Sequence, residues 1–288
     1  MLVTLKEILA EAEKRQVAIG AFNAAGLESL QAVIEAAEEL DLPVIIQFAQ
    51  CHECYNHIEE MAPVMLQFAK QAKVPVCAHL DHGEDLEYVQ KALELGFTGV
   101  MYDGSTLPYE ENVKNTKAAV ALAAKYGASV EAELGCMGRK ETGAGEHTGE
   151  EDDTKIYTDP VQAKAFVAET GIDALACSFG TTHGIYLTKP KLDFSVVEKV
   201  RQETDGIPVV MHGGSGVSKE DFHAAVEAGV RKINYFTYMD KAAGEAMKAY
   251  LDSLAEGKPA FFTDATLVIR KAMKDNIMQA MKTFARLD

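Results

Sequence analysis

Residues 74–96 read VPVCAHLDHGEDLEYVQKALELG, and the fold follows from how that stretch is divided. Its first seven residues form a short, almost unbroken apolar run, as a strand covered on both faces must. Asp81 and His82, followed by Gly83, end the run. Leu86, Val89, Ala92 and Leu93 then recur at helical spacing, and Gly96 stands where that helix should stop. The unit is a strand, a polar turn and a helix.

Outward from this unit the same pattern repeats along the chain. Further apolar runs occupy 17–23, 43–48, 98–102, 128–134, 172–179, 207–212 and 230–235, with helical stretches between them. Asp159 before Pro160 reads as an N-cap with proline in the first turn, and Ser218 with Asp221 resembles a capping box. Gly127, Gly171 and Gly229 sit at expected helix ends. Eight strand-then-helix units predict an α/β protein, a (β/α)8 barrel forming one domain over 1–288; counting alone leaves an open doubly wound sheet as the other arrangement. The stretch from about 138 to 158, rich in Gly, Glu, Asp and Thr, is expected to be a mobile loop after the fifth strand.

Composition narrows the function. Of 288 residues, 48% are hydrophobic and 25% charged, as in a soluble globular protein with a real core. A formal net charge of −16 argues against nucleic acid or an anionic membrane as partner, so a phosphorylated substrate would need local compensation. No long apolar segment and no signal-peptide core is present, and a cytoplasmic protein is expected. Five scattered cysteines are read as reduced thiols.

Barrels of this kind work at the carboxyl ends of their strands. Those ends carry Asn23, Asp81-His82-Gly83, Asp103-Gly104-Ser105, Glu131-Ala132-Glu133, Thr182-His183-Gly184, His212-Gly213-Gly214-Ser215 and Asn234. One histidine at a strand end is usually a hydrogen-bonding group. Three of them, His82, His183 and His212, at ends that a barrel brings together form the ligand set of a catalytic zinc site with an open position. Backbone N–H groups around Gly184 and Gly213, with the Ser215 hydroxyl, suit a phosphate.

In this order these blocks, together with Ala21-Phe22-Asn23, Pro43-Val44-Ile45-Ile46-Gln47, His183-Gly184-Ile185-Tyr186 and Lys232-Ile233-Asn234, resemble the class II fructose-bisphosphate and tagatose-bisphosphate aldolases over nearly the whole chain. The resemblance implies reversible cleavage of a ketose 1-phosphate or bisphosphate to dihydroxyacetone phosphate and an aldehyde. One Zn2+ would be held by His82, His183 and His212, with Glu133 as an alternative ligand, and would act as a Lewis acid. Asp81 would move a proton at the aldehyde oxygen, and Glu141 would take the proton from dihydroxyacetone phosphate, with Glu146, Glu150 and Glu151 as rivals. Asn23, Gly184, Gly213, Ser215, Asn234 and Thr237 would hold the substrate and its phosphate. A monovalent cation near that phosphate and a homodimer or homotetramer are further implications.

Two departures from the family pattern concern the aldehyde half. Phe236 stands where the glycolytic enzymes usually carry Asp, and no basic residue is identifiable for the distal phosphate near the C-terminus, where Arg270 is not placed in register. Cys51-His52-Glu53-Cys54 with His57 reads as a loop over the barrel mouth rather than a second metal site, and His79 is expected inside the barrel. Two other functions fit the fold: a metal-dependent sugar-phosphate epimerase or isomerase, and a non-catalytic sugar-phosphate sensor. A sensor would be expected to lack a ligand, and an epimerase to place two acid/base groups about one carbon.

Overall fold

The computed structural model describes residues 1–135, 157–184 and 190–288. Eight parallel strands close into a barrel: β2 (Ile19–Asn23), β3 (Val44–Ala49), β4 (Val76–Gly83), β5 (Gly99–Tyr102), β6 (Ser129–Leu134), β7 (Ala174–Cys177), β8 (Val209–Met211) and β9 (Val230–Tyr235). The ring closes where β4 pairs with β5 and β2 with β9, which removes the open-sheet alternative. A two-residue β1 (Leu2–Val3) pairs with the start of β4, below the point where β5 begins. All eight apolar runs of the sequence become barrel strands.

Helices follow the strands as expected: α2 (Leu27–Leu40), α3 (Ile58–Gln71), α4 (Leu86–Leu95), α5 (Tyr109–Ala124), α6 (Pro160–Thr170), α7 (Phe194–Glu203), α8 (Lys219–Ala228) and α9 (Thr237–Asp252), with α10 (Phe262–Phe284) crossing α2 and α9. The start signals hold. Asp159 accepts from the N–H groups of Val161 and Gln162, Ser218 accepts from Asp221, and Asp85 caps α4 through Tyr88. Gly96 and Gly171 take left-handed conformations at helix ends, where a side chain would be strained.

The first helix, α1 (Leu5–Arg15), seals the amino end of the barrel. Thr4 and Glu7 form a reciprocal capping box, which sets the helix start. The helix then buries Leu5, Ile8, Leu9 and Ala12 against the inward side chains Ile19, Ala21, Ile45, Cys77, Ala174, Ala176 and Val210. Burying each of the larger aliphatic side chains contributes about 1.5–3 kcal/mol, enough to hold a plug over one end of the ring. The barrel interior is therefore apolar at its amino end.

Toward the carboxyl end it becomes polar. Strand register places Asn23, Gln47 and His79 level with one another, and Ala49 level with Asp81. These side chains are buried together with Glu131, Glu133, His212, Lys232 and Asn234. So many buried polar groups are tolerated only when they satisfy one another.

Candidate metal centre and active site

Asp81 and His82 are consecutive on β4, and strand alternation would send one inward and the other outward. The chain avoids this with a register shift between Leu80 and Gly83, and His82 adopts a left-handed backbone at φ 45°. Such a conformation costs a non-glycine residue on the order of 1 kcal/mol or more and is met most often at functional sites. Gly83 completes the bulge, because a Cβ there would lie 2.7 Å from the Met101 carbonyl oxygen. Both side chains thereby serve the barrel mouth.

His212 follows β8 directly. His183 lies six residues past the end of β7, which stops at Cys177 rather than running to Phe179 as the sequence suggested; Phe179 instead accepts a hydrogen bond from Asp193 in the loop. Gly213, at φ 63°, brings this loop against the turn after β8, since a Cβ would stand 2.4 Å from the Thr182 oxygen. His82, His183 and His212 consequently meet, with one ring nitrogen of each within 4.8 Å of the others. Their ring centroids are 4.6 to 5.7 Å apart and steeply inclined.

The outer nitrogens of two rings are held by carboxylates. His82 Nδ1 is 2.8 Å from Asp103 Oδ2, while Asp103 Oδ1 accepts from the Ser105 N–H and hydroxyl, and His212 Nε2 is 2.8 Å from Glu131 Oε1. This leaves His82 Nε2 and His212 Nδ1 facing each other at 2.9 Å. Carboxylates behind imidazoles fix ring orientation and raise ligand basicity, the arrangement that surrounds histidine-bound zinc. Burial opposes a charge on His82, yet Asp81 and Asp103 outweigh it and raise its pKa to about 10. The same negative surroundings favour a divalent cation, so donor set and charge fit a metal. Glu133 Oε2 lies 3.9 Å from His212 Nδ1 and groups with His82 and Asp103 in a second possible set of donors.

Beside this cluster lies a closed network around Asp81. Its Oδ2 accepts from Asn23 Nδ2 and Gln47 Nε2, each at 3.0 Å, and its Oδ1 accepts from Asn234 Nδ2 at 2.9 Å. Burial alone would raise the pKa of Asp81, but His82, Lys232 and the other histidines hold it well below the usual carboxylate range. Lys232 Nζ, fully enclosed, bridges Asn234 Oδ1 at 2.8 Å and Glu131 Oε2 at 2.9 Å. Glu131 stays ionised for the same reason: burial pushes it up, Lys232 and His212 pull its pKa down to about 2.

Placed against the sequence reading, Asn23 and Asn234 hold Asp81. Ser215 accepts from the Tyr238 N–H at the start of α9, and Thr237 is the first residue of that helix, so both sit at its N-terminus; Gly184 follows His183. Glu141, Glu146, Glu150 and Glu151 lie outside the described residues, as does most of the 138–158 loop. His79 is inside the barrel as expected, 3.5 Å from Glu131. Residues 50–54 form a short 3-10 helix after β3, consistent with a loop at the mouth. The roles of Asp103, Glu131 and Lys232 were not assigned from sequence. For Glu131 and Lys232 a signal existed: charged residues within strands otherwise reading as buried must be paired.

A closed parallel barrel with convergent imidazoles and a buried acid at its carboxyl mouth defines a barrel enzyme with a metal-type centre. The model of the family described as fructose-bisphosphate aldolase class-II matches residues 3–287, and the chain belongs to that family of lyases. It is 37% identical to the uncharacterized protein YdjI of Escherichia coli K12 over 288 residues, covering 99% of this chain and 98% of that one. It is also 37% identical to the D-tagatose-1,6-bisphosphate aldolase subunit GatY of Klebsiella oxytoca over 251 residues, 87% of each chain. Among solved structures, the crystal structure of the YdjI aldolase superposes with a TM-score of 0.86 at 36% identity, over 99% of this chain and 97% of that one. The fructose-bisphosphate aldolase of Campylobacter jejuni gives 0.82 at 25% identity, over 98% and 95%.

Proposed function

We propose that this chain, as a single catalytic domain, is a zinc-dependent aldolase that cleaves a ketose 1-phosphate, bisphosphates of the fructose and tagatose type included, to dihydroxyacetone phosphate and an aldehyde. The observation that carries the reading is the meeting of His82, His183 and His212 beside the buried carboxylate of Asp81. These three histidines would hold Zn2+, with Glu133 as alternative ligand. When bound, the ion supplies Lewis acidity toward the carbonyl of the ketose.

The protein's own groups do the rest. Asp81 receives three side-chain hydrogen bonds and is held ionised, so in the cleavage direction it is set to accept the proton of the C4 hydroxyl and in condensation to return it. Asn23 and Asn234 fix the orientation of that carboxylate while lying next to the substrate. The backbone at Gly184 and Gly213, Ser215 and the N-terminus of α9 at Thr237 would receive the phosphate, where helix dipole and backbone donors favour an anion. A monovalent cation beside that phosphate would offset part of the protein's negative charge. Glu141 is the proposed base for dihydroxyacetone phosphate.

The enzyme is proposed to act in the cytoplasm as a homodimer or homotetramer; no disulfide joins the four cysteines of the described residues, and no helix of those residues is long and apolar enough to cross a membrane. The test is release of dihydroxyacetone phosphate from fructose 1,6-bisphosphate, tagatose 1,6-bisphosphate and singly phosphorylated ketoses, before and after chelation and zinc restoration. Zinc-restored cleavage is expected. No release from any member of the panel by the zinc-loaded protein would overturn the reading.

A further inference from the structure

His52 is 1% exposed, and neither ring nitrogen has a hydrogen-bond partner among the described residues. Its ring is surrounded by other rings instead: Phe236 at 4.8 Å between centroids, Tyr55 at 5.7 Å and Phe48 at 6.4 Å. A phenyl group would fill this space without leaving two polar atoms unpaired. Buried groups of this kind are rare in native proteins and call for a partner that arrives from elsewhere.

The position of the ring says what that partner is. His52 stands three residues past Ala49, whose register mate is Asp81. Phe236 stands two residues past Asn234, which binds Asp81. The pair therefore lies at the barrel mouth beside the acid that handles the aldehyde oxygen, with Phe236 just before the first residue of α9. Burial keeps the pKa of His52 below its ordinary value even though the nearby Asp81 charge draws it upward, so the ring is neutral and offers one donor and one acceptor. Neither a neutral imidazole nor a wall of phenyl rings compensates a phosphate. Arg270, which the sequence did not place in register for that task, contacts Gln31 at 3.0 Å and Glu35 at 3.7 Å.

We propose that His52 is the specificity residue of the aldehyde half: its imidazole hydrogen-bonds a hydroxyl within two carbons of the aldehyde carbon, against the face of Phe236, and so selects uncharged hydroxyaldehydes over phosphorylated ones. This rests on the aldolase reading of the site and deepens it. A site built to pair with a hydroxyl rejects an analogue lacking it, because its own polar atoms are then left unpaired.

The experiment compares condensation of dihydroxyacetone phosphate with glyceraldehyde, propanal and glyceraldehyde 3-phosphate in the zinc-loaded enzyme. Its readout is the ratio of kcat/KM values within each variant, which cancels any loss of metal or of general activity. The wild-type enzyme favours glyceraldehyde over propanal and gains nothing from the phosphate. In His52→Phe the glyceraldehyde-to-propanal ratio falls about 10-fold or more; His52→Gln, which keeps a donor and an acceptor, retains most of it. An unchanged ratio in His52→Phe, or a wild-type preference for glyceraldehyde 3-phosphate, overturns the proposal. Deuterium exchange into dihydroxyacetone phosphate without any aldehyde is measured alongside: its absence from the zinc-loaded wild type would remove the aldolase reading itself, a separate result.

Discussion

Glu131 Oε1 lies 2.8 Å from His212 Nε2, both groups fully enclosed, and this contact decides which nitrogen of His212 faces the centre of the site. With Nε2 held by the carboxylate, Nδ1 is directed at His82 and His183. Substituting Glu131→Gln keeps the shape but removes the charge that makes the imidazole a better ligand, and sets an amide against the Lys232 ammonium. Zinc affinity should drop about 10- to 100-fold, the usual cost of losing a carboxylate behind a metal-binding histidine. Competition titration against a chromophoric chelator measures it; an unaltered dissociation constant would show that Glu131 serves only to balance Lys232.

Asp81→Asn separates binding from proton transfer. The carboxamide nearly matches the carboxylate in size, but it places an NH2 group where Asn23, Gln47 and Asn234 already donate, and it cannot take a proton from a sugar hydroxyl. Cleavage of the best ketose substrate should fall about 100- to 10,000-fold, the range for a positioned general base. Zinc content and deuterium exchange into dihydroxyacetone phosphate should persist, because neither needs the aldehyde proton to move. Loss of exchange in parallel with cleavage would reassign Asp81 to the other half-reaction.

The buried cation offers a stability test. Lys232 has no exposed surface, and its Nζ touches both Glu131 and Asn234. Replacing it with Met fills the volume but leaves the Glu131 carboxylate without its main counter-charge, a change that costs about 3–5 kcal/mol when one partner of an enclosed pair is removed. Urea denaturation of the chelated protein should show that loss. Adding Glu131→Gln to Lys232→Met should recover much of it, since the uncompensated charge disappears as well.

How much of this was legible beforehand depends on which physical signal carries the information. The strands were visible because a parallel strand buried on both faces must be apolar throughout, as 43–48 and 207–211 largely are. The three histidines were visible because each stands at or just past a strand end. The geometry of Asp81 and His82 was not: adjacent strand residues do not share a face, and only the bulge with its left-handed His82 reconciles them. His52 was equally hidden, because its ring packs not only on its sequence neighbours Phe48 and Tyr55 but on Phe236, distant in sequence. Lys232 looked like part of a family block until its distance to Glu131 showed it pairing with the carboxylate behind His212.

His79 gives the fold a pH dependence whose sign follows from its surroundings. Burial first, then the Lys232 charge, depress its folded pKa to about 3, against 6.5 for an unperturbed imidazole. Between these values the unfolded chain binds a proton that the folded protein refuses, so stability must fall as pH drops below about 6.5, by up to about 1.4 kcal/mol per pH unit. His82 does not confuse this window in the chelated protein, because with a pKa raised to about 10 it is protonated in both states below 6.5. His52 and His212, also depressed, contribute with the same sign in every variant that retains them. Replacing His79 with Gln should therefore flatten the decline in urea-unfolding free energy between pH 6.5 and pH 5 by about one such increment per pH unit, without abolishing it. A slope equal to that of the wild type would mean that His79 carries a proton inside the barrel and pairs with Glu131 as a cation.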